Sequence, residues 1–262
     1  MIGFQRFLLG AKDMTARRGV LASLMVAIVL AGCSTPGPGE APDGIWDPQE
    51  GTNRRIHDFN RRVDERLLKD NGTGLSDGLP QGTKLAVAGF ADTAGTPQTI
   101  VNQLLQLRLW RATKNTLRFA LNTTVGLTVM DPASEWGLVE DTSDFGETLA
   151  VWGLPEGAYV ELPLLGPSTE RDATGRVVDL FTNPISYIVP APERYLGPAA
   201  NIADKLISRS EYSDTVESVL YDSADSYAQM RLIYLQNRRF ELGETAPEAE
   251  EIDPMALDTS GF

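Results

Sequence analysis

The sequence predicts a mainly α fold, built as a single domain of short amphipathic helices with few or no strands. Proline and glycine cut the chain into short blocks, and several blocks open on an Asp or Asn followed by proline. Apolar residues recur at spacings of three and four, whereas the period-two alternation of strands is scarce. From Trp46 to Gly243 there is chain enough for one sizeable core.

Residues 1–32 read as a lipoprotein signal peptide. Arg17 and Arg18 form a positive segment, and Val20 to Leu30 an apolar run too short to span a bilayer. Leu30-Ala31-Gly32-Cys33 has the form of a lipobox, and Cys33 is the only cysteine. Cleavage before Cys33 would free a thiol for diacylglycerol and an amine for a further acyl chain, and together these anchor firmly. Ser34, in place of an aspartate, points to the periplasmic side of the outer membrane. Residues 33–45 are a Pro/Gly-rich tether expected to lift the domain from its anchor.

The domain, residues 46–243, opens on Asp47-Pro48-Gln49-Glu50, with Asp47 as expected cap, proline at the first helical position and Glu50 closing a capping box. The helix runs to about Lys69, with Ile56, Phe59, Val63 and Leu67 as its expected inner face. Asn71 to Gln81 is a break. Thr96-Pro97 is expected to open a second block that continues through Trp110 and Arg111 to Leu121, with an unusually wide apolar face. Asn122 to Gly126 ends it. Asp131-Pro132 and Asn183-Pro184 repeat the cap-plus-proline start, and Asp144 with Glu147 makes another capping box. Between them residues 134–143 read as a loop kinked at Trp136-Gly137. Tyr159-Val160 and Leu162 suggest a short extended segment, Ser168 a cap for a helix to Phe181. Two longer helices, Ile202 to Leu220 and Asp225 to Phe240, close the domain.

Composition narrows the chemistry. Removing residues 1–32 takes away Arg6, Lys12, Arg17 and Arg18 against Asp13, four bases and one acid, which moves the net charge from −13 to about −16. Such a chain is unsuited to nucleic acid or to anionic lipid surfaces, which are bound through Lys and Arg. Residues 244–262 carry six acids and no base, the composition of a disordered acidic tail. With His57 the only histidine and Cys33 acylated, no His/Cys metal cluster is available, and a serine triad would have to be built on His57. That residue sits among Arg, Asp and Asn, where a surface or capping role is expected. The carboxylates Glu135, Glu140, Asp141, Asp144 and Glu147 are explained by capping and solvation, Ser168 lacks a nucleophile elbow, and Gly72-Thr73-Gly74 lacks the lysine of a phosphate loop. The chain is not expected to be an enzyme or to hold a cofactor or metal.

Several ordered blocks resemble the VacJ/MlaA lipoprotein family. They are Asp47-Pro48-Gln49-Glu50-Gly51-Thr52-Asn53-Arg54 through Phe59-Asn60, Arg118 to Leu127, Asp144-Phe145-Gly146-Glu147-Thr148-Leu149, Leu162 to Thr169 with Arg171-Asp172, and Tyr221 to Gln236. Thr52 stands where the family often has an aromatic residue, and residues 67–94 keep only weak similarity. The resemblance implies a ring-like protein in the inner leaflet of the outer membrane, beside a porin trimer. It implies an amphipathic channel that removes mislocalised glycerophospholipids from the outer leaflet and passes them to a soluble periplasmic carrier. Within that reading, residues 130–143 are the expected gate, with Trp136, Gly137, Asp144 and Phe145 at it, and Asn53, Phe59 and Asn60 are expected to influence channel opening. The competing expectation is a non-catalytic lipoprotein that only braces porins or envelope assemblies.

Overall fold

The computed structural model describes residues 34–41, 43–69 and 78–244. The leader, Cys33, most of the predicted break and residues 245–262 lie outside the described residues.

The first helix, α1 (Glu50–Asp64), continues as a π-helical turn, Glu65–Lys69. Asp47 does not cap it. Its carboxylate is taken by Asn53 (2.8 Å), Tyr227 and Arg231 (2.6 Å), so Gln49 occupies the cap position without a side-chain bond. The predicted apolar face is only in part the buried one, with Ile56 and Val63 half-buried. α1 buries Asn53 and His57, with Asn60 half-buried beside them, while Phe59 and Leu67 are exposed.

The reason lies in the small sheet that α1 packs on. Strands β1 (Tyr159–Leu162) and β2 (Gly166–Thr169) pair antiparallel, Tyr159 opposite Thr169 and Leu162 opposite Gly166. A lone hairpin leaves an edge of unpaired backbone groups. Two asparagine side chains of α1 fill that edge as a strand would. Asn53 donates to Tyr159 O (3.0 Å) and accepts from Glu161 N (3.0 Å). Asn60, two turns on, donates to Leu162 O (3.0 Å) and accepts from Leu164 N (2.7 Å).

Helix α2 (Gln81–Leu105) starts well before Thr96-Pro97, and Pro97 lies inside it. Small residues make the earlier turns packable, since a Cβ on Gly89 would stand 2.6 Å from Val129 O. α2 and α3 (Leu109–Thr124) are separate helices. Leu107, at φ 59, makes the turn between them in the left-handed region, a position the sequence marks with neither glycine nor asparagine. The short α4 (Pro132–Glu135) is capped by Asp131 and α5 (Phe145–Val151) by Asp144, as expected. Helix α6 (Glu170–Thr182) is capped by Thr169, which accepts from Asp172 N (3.2 Å), and not by Ser168, which belongs to β2. Then come α7 (Ile185–Ile188), α8 (Leu196–Glu211), α9 (Ser213–Leu220) and α10 (Ser226–Leu242). The predicted Ile202–Leu220 helix is therefore broken at Tyr212, while Asp225 and the left-handed Gly243 bound the last one.

Neighbour contacts close a circuit from α2 through α8, α9, α10, β2, α6 and α5 back to α2. The apolar clusters inside it are small. One is Phe145, Leu149 and Val178, the other Tyr159, Tyr227 and Leu235. At the first, α5 and α6 touch backbone to backbone, because a Cβ on Gly175 would lie 2.3 Å from Gly146 N. Arg238 clips the same junction through Asp144 (2.7 Å) and Asp172 (3.0 Å).

Candidate functional site

Polar side chains outnumber apolar ones among the buried described residues, and the large apolar side chains are mostly on the outside. This reverses a water-soluble core. α3 shows it most plainly: Arg111, Asn115, Arg118 and Asn122, spaced four, three and four, face inward, while Leu109, Trp110 (79% exposed) and Leu117 face out. Leu107, Leu127 and Leu164 are 82%, 73% and 68% exposed and all adopt positive φ. A side chain there costs roughly 1–2 kcal/mol that glycine avoids. The leucines keep apolar bulk at the tips of turns, where only an apolar medium rewards it. No helix among the described residues is long and apolar enough to cross a membrane.

The inward row of α3 fastens the segment expected to be a gate. Asn122 and Arg118 hold Asp131 (2.9 and 3.0 Å), Arg118 also bonds Leu138 O and Ser134 Oγ, and Asn115 bonds Asp141 O (2.7 Å). Asp141, expected to be solvated, takes Arg111 and Lys114 (3.0 Å). Burial pushes the Asp131 and Asp141 carboxyls up, but their donors outweigh it and hold both below the usual range. Glu147 behaves alike, lowered against burial by Ser143, Arg108 and Arg111. It pairs with these instead of closing a capping box. Trp136 points outward and is exposed, Gly137 makes the kink at φ 84, and Phe145 is buried at the α5–α6 junction. The predicted gate residues thus divide between a lipid-type surface and a packed helix start. Asn53 and Asn60 belong to the β1 edge, and Phe59 lies on the outside of α1.

His57 is buried and not at the surface. Its Nε2 lies 2.9 Å from Ser226 Oγ and its Nδ1 3.6 Å from Glu161, an order that resembles a serine triad. The arrangement is closed to a substrate. All three residues are buried, Tyr227 covers the imidazole edge-on at 5.7 Å, and Glu161 is already engaged by Tyr159 and Asn60. It serves as a polar core.

The cavity that can hold a ligand lies elsewhere, between α2, α3, α7 and α8. It has about 340 Å³, and Phe90, Ala94, Phe119, Ile185, Val189 and Leu196 give it an apolar wall. Two polar groups in the lining lack partners: the hydroxyl of Thr93, 3% exposed, and Nε of Arg194. A buried polar atom without a partner costs about 1–3 kcal/mol, which a ligand head would relieve. An apolar wall that also carries Glu193 and Arg194 suits an amphiphile with a polar head. Sequence reasoning missed Arg194 and Thr93, which carry no motif. The only signal was the set of small residues Gly89, Ala91, Thr93, Ala94 and Gly95, which leaves room beside α2.

Next to Thr93, Asp92 keeps surface in solvent, yet the protein packed around its carboxyl first, and then Glu140, Asp204 and Asp131, push it up to about 6. Partial desolvation also raises Glu140, which keeps an exposed side. A carboxyl raised in the fold weakens it once ionised, so stability from this group increases as pH falls through about 6. Asp92→Asn is therefore expected to raise the melting temperature at about pH 7.5, with a benefit that shrinks steadily toward about pH 4.5. An equal benefit at both would show that charge is not the cause.

The segment expected to be a tether is not free of the body. Ser34 bonds Glu170 through its N–H and hydroxyl (both 2.7 Å), and Arg239 bonds Gly44 O (2.7 Å). The residue after Cys33 is thereby placed at the start of α6.

Comparison with known proteins agrees with this architecture. An uncharacterized protein of Rickettsia typhi is 36% identical over 55% of this chain, a match spanning 58% of that relative's length. The intermembrane phospholipid transport system lipoprotein MlaA of Haemophilus influenzae is 28% identical over 86% of this chain and 90% of its own. A solved structure from work on the structural basis for maintenance of bacterial outer membrane lipid asymmetry superposes with a TM-score of 0.64. It is 27% identical and covers 75% of this chain and 98% of that one. The MlaA lipoprotein pattern matches residues 45–241, the whole circuit of helices and its cavity, and the chain belongs to the MlaA lipoprotein family.

Proposed function

We propose that this protein is an outer-membrane lipoprotein of an intermembrane phospholipid transport system, one that helps to maintain lipid asymmetry. The observation that carries the reading is the inverted distribution of side chains around a cavity: apolar residues outside, polar residues between the helices, and an apolar chamber with Nε of Arg194 and the Thr93 hydroxyl unpartnered in its wall. The outer face suits acyl chains of a leaflet, in which the protein is embedded without spanning it. The chamber suits the head and glycerol end of one glycerophospholipid in passage, its phosphate at Arg194 and the start of its tails along Phe90, Phe119 and Leu196.

Cys33, carrying N-acyl and S-diacylglycerol groups, holds the domain on the periplasmic side. The contact of Ser34 with Glu170 then fixes which part of the ring lies closest to the anchor. In this reading the chain works beside a porin trimer and hands lipid to a soluble periplasmic carrier. In this reading lipid leaves as it entered. Deleting the gene is expected to raise phospholipid in the outer leaflet, and Cys33→Ala to fail in restoring asymmetry. Unchanged outer-leaflet phospholipid in the deletion strain would overturn the proposal.

A further inference from the structure

The cavity has three firm walls and one loose one. α2, α3 and α8 supply the firm walls. The fourth is residues 184–195, which run from the end of α6 to the start of α8 and bring Ile185, Ser186, Val189 and Arg194 to the chamber. Both ends of this strap are pinned to α2. At one, Gln98 donates to Asp179 (2.6 Å) and Thr182 (2.9 Å). At the other, Gly197 is buried against Ala94, where a Cβ would lie 3.0 Å away.

Between the pins the strap bonds to itself and its immediate flank. Ile185 N and Ser186 N bond Asn183, the Tyr187 hydroxyl donates to Phe181 O (2.5 Å), and Arg194 N donates to Pro190 O (3.1 Å). The Arg194 guanidinium rests 5.1 Å from the centre of the Tyr195 ring. Pro184, Pro190 and Pro192 have no N–H to offer. Among the described residues no hydrogen bond or ion pair joins 184–194 to α2 or α3. The segment 130–143, by contrast, is fastened to α3 by a row of side chains. A boundary crossed by few bonds is where a fold opens first. Behind the strap lies the Thr93 hydroxyl, buried and without a partner, so the space it covers is suited to a ligand.

The two sides of the strap differ. Ile185, Ser186 and Val189 are half-buried, whereas Tyr187 and Ile188 are 74% and 79% exposed and continue the outer face that Leu180 and Phe181 begin on α6. Size then decides what the chamber can enclose. At about 340 Å³ it is roughly 7–10 Å across, while the acyl chains of one leaflet reach about 15 Å, half the hydrocarbon core. Head and glycerol fit inside, and the tails do not. We propose that residues 184–195 are a lid that opens sideways into the leaflet, admitting the head and glycerol of a phospholipid while its tails stay outside along Leu180, Phe181, Tyr187 and Ile188. Arg194 travels with the lid and meets the phosphate before the chamber closes on it. The proposal rests on the conduit reading above and adds where lipid crosses the wall.

The test uses the full acylated chain. In detergent, hydrogen exchange at 185–189 and 193–195 is expected to run about tenfold faster than in the turns of α2 and α3 that line the same chamber. For the lipid step, Tyr187→Glu combined with Ile188→Glu puts charge where the tails should lie, and Phe240→Glu, 84% exposed on α10, puts it elsewhere on the outer surface. All three side chains are exposed, so melting temperatures should stay within about 2 °C of the wild type. Each chain is equilibrated with phosphatidylethanolamine vesicles, re-isolated and assayed for bound lipid by mass spectrometry. The paired substitution should hold about tenfold less lipid than the wild type, because carboxylates are costly among acyl chains, and Phe240→Glu should match the wild type within about twofold. If the paired variant melts lower, the exchange rates decide. Exchange in the strap as slow as in α2, wild-type lipid in the paired variant, or an equal loss in Phe240→Glu would overturn the lid and leave the conduit standing. Absence of lipid from the wild type would overturn both.

Discussion

Gly175→Ala is expected to destabilise the protein by about 3 kcal/mol, at the upper end of ordinary overpacking. The new methyl would stand 2.3 Å from Gly146 N and 2.7 Å from its Cα, so the clash is with backbone and no rotamer relieves it. α5 and α6 would have to separate. That movement strains the Arg238 clip on Asp144 and Asp172 and opens the cluster of Phe145, Leu149 and Val178. For a domain of this size the loss corresponds to a fall of about 10 °C in melting temperature, measurable by circular dichroism in detergent. Gly51→Ala is the control. It lies in α1 with nothing within 4 Å of the added carbon and should stabilise by about 0.5–1 kcal/mol through helix propensity. A melting temperature for Gly175→Ala within about 2 °C of the wild type would contradict the backbone contact.

Asn53→Ala is the second large effect expected, about 3–4 kcal/mol. It removes the partners of Tyr159 O and Glu161 N, two buried backbone groups on the β1 edge, each costing about 1–3 kcal/mol when left unmade. Asn53→Asp should not rescue it. Aspartate can accept from Glu161 N but cannot donate to Tyr159 O, and it places a second carboxylate beside Asp47. Asn60→Ala should cost about half as much, because its partners are nearer to solvent. Phe59→Ala, which faces outward, should change stability by less than about 0.5 kcal/mol. Urea unfolding of the four variants checks the order. If Phe59→Ala proved the most damaging, α1 would be packed through its apolar face after all.

That contrast also shows what the sequence made legible. Helix starts at Asp131, Asp144 and Asp225 were readable because capping is local chemistry, settled within three residues. The inner face of α1 was not. Apolar periodicity points to a core only when the outside is water, and here Ile56, Phe59, Val63 and Leu67 were assigned inward by that assumption. The same assumption hid Asn53, His57 and Asn60 as packing residues. Asp47 was misplaced as a cap because its partners, Tyr227 and Arg231, come from the far end of the chain. The turn at Leu107 was invisible because its left-handed position holds an exposed leucine and not the glycine that backbone strain alone would select.

The cavity was the least legible part. The family resemblance implied a channel, and the residues expected at its gate lie in a segment fastened by α3 and on the outer surface. Thr93, Asn201 and Arg194 come from three segments, 93, 201 and 194, that only the packing of α2 against α8 brings to one wall.

The most direct measurement is photo-crosslinking from inside the cavity. A photoreactive amino acid at Thr93 in cells, with Trp110 on the outer face and half-buried Glu217 on α9 as comparisons, followed by mass spectrometry of the adducts, separates a conduit from a brace. The account predicts covalent phospholipid at positions 93 and 110 and none at 217. Phospholipid at 110 but none at 93 would contradict it, leaving a protein that rests in the leaflet and passes no lipid.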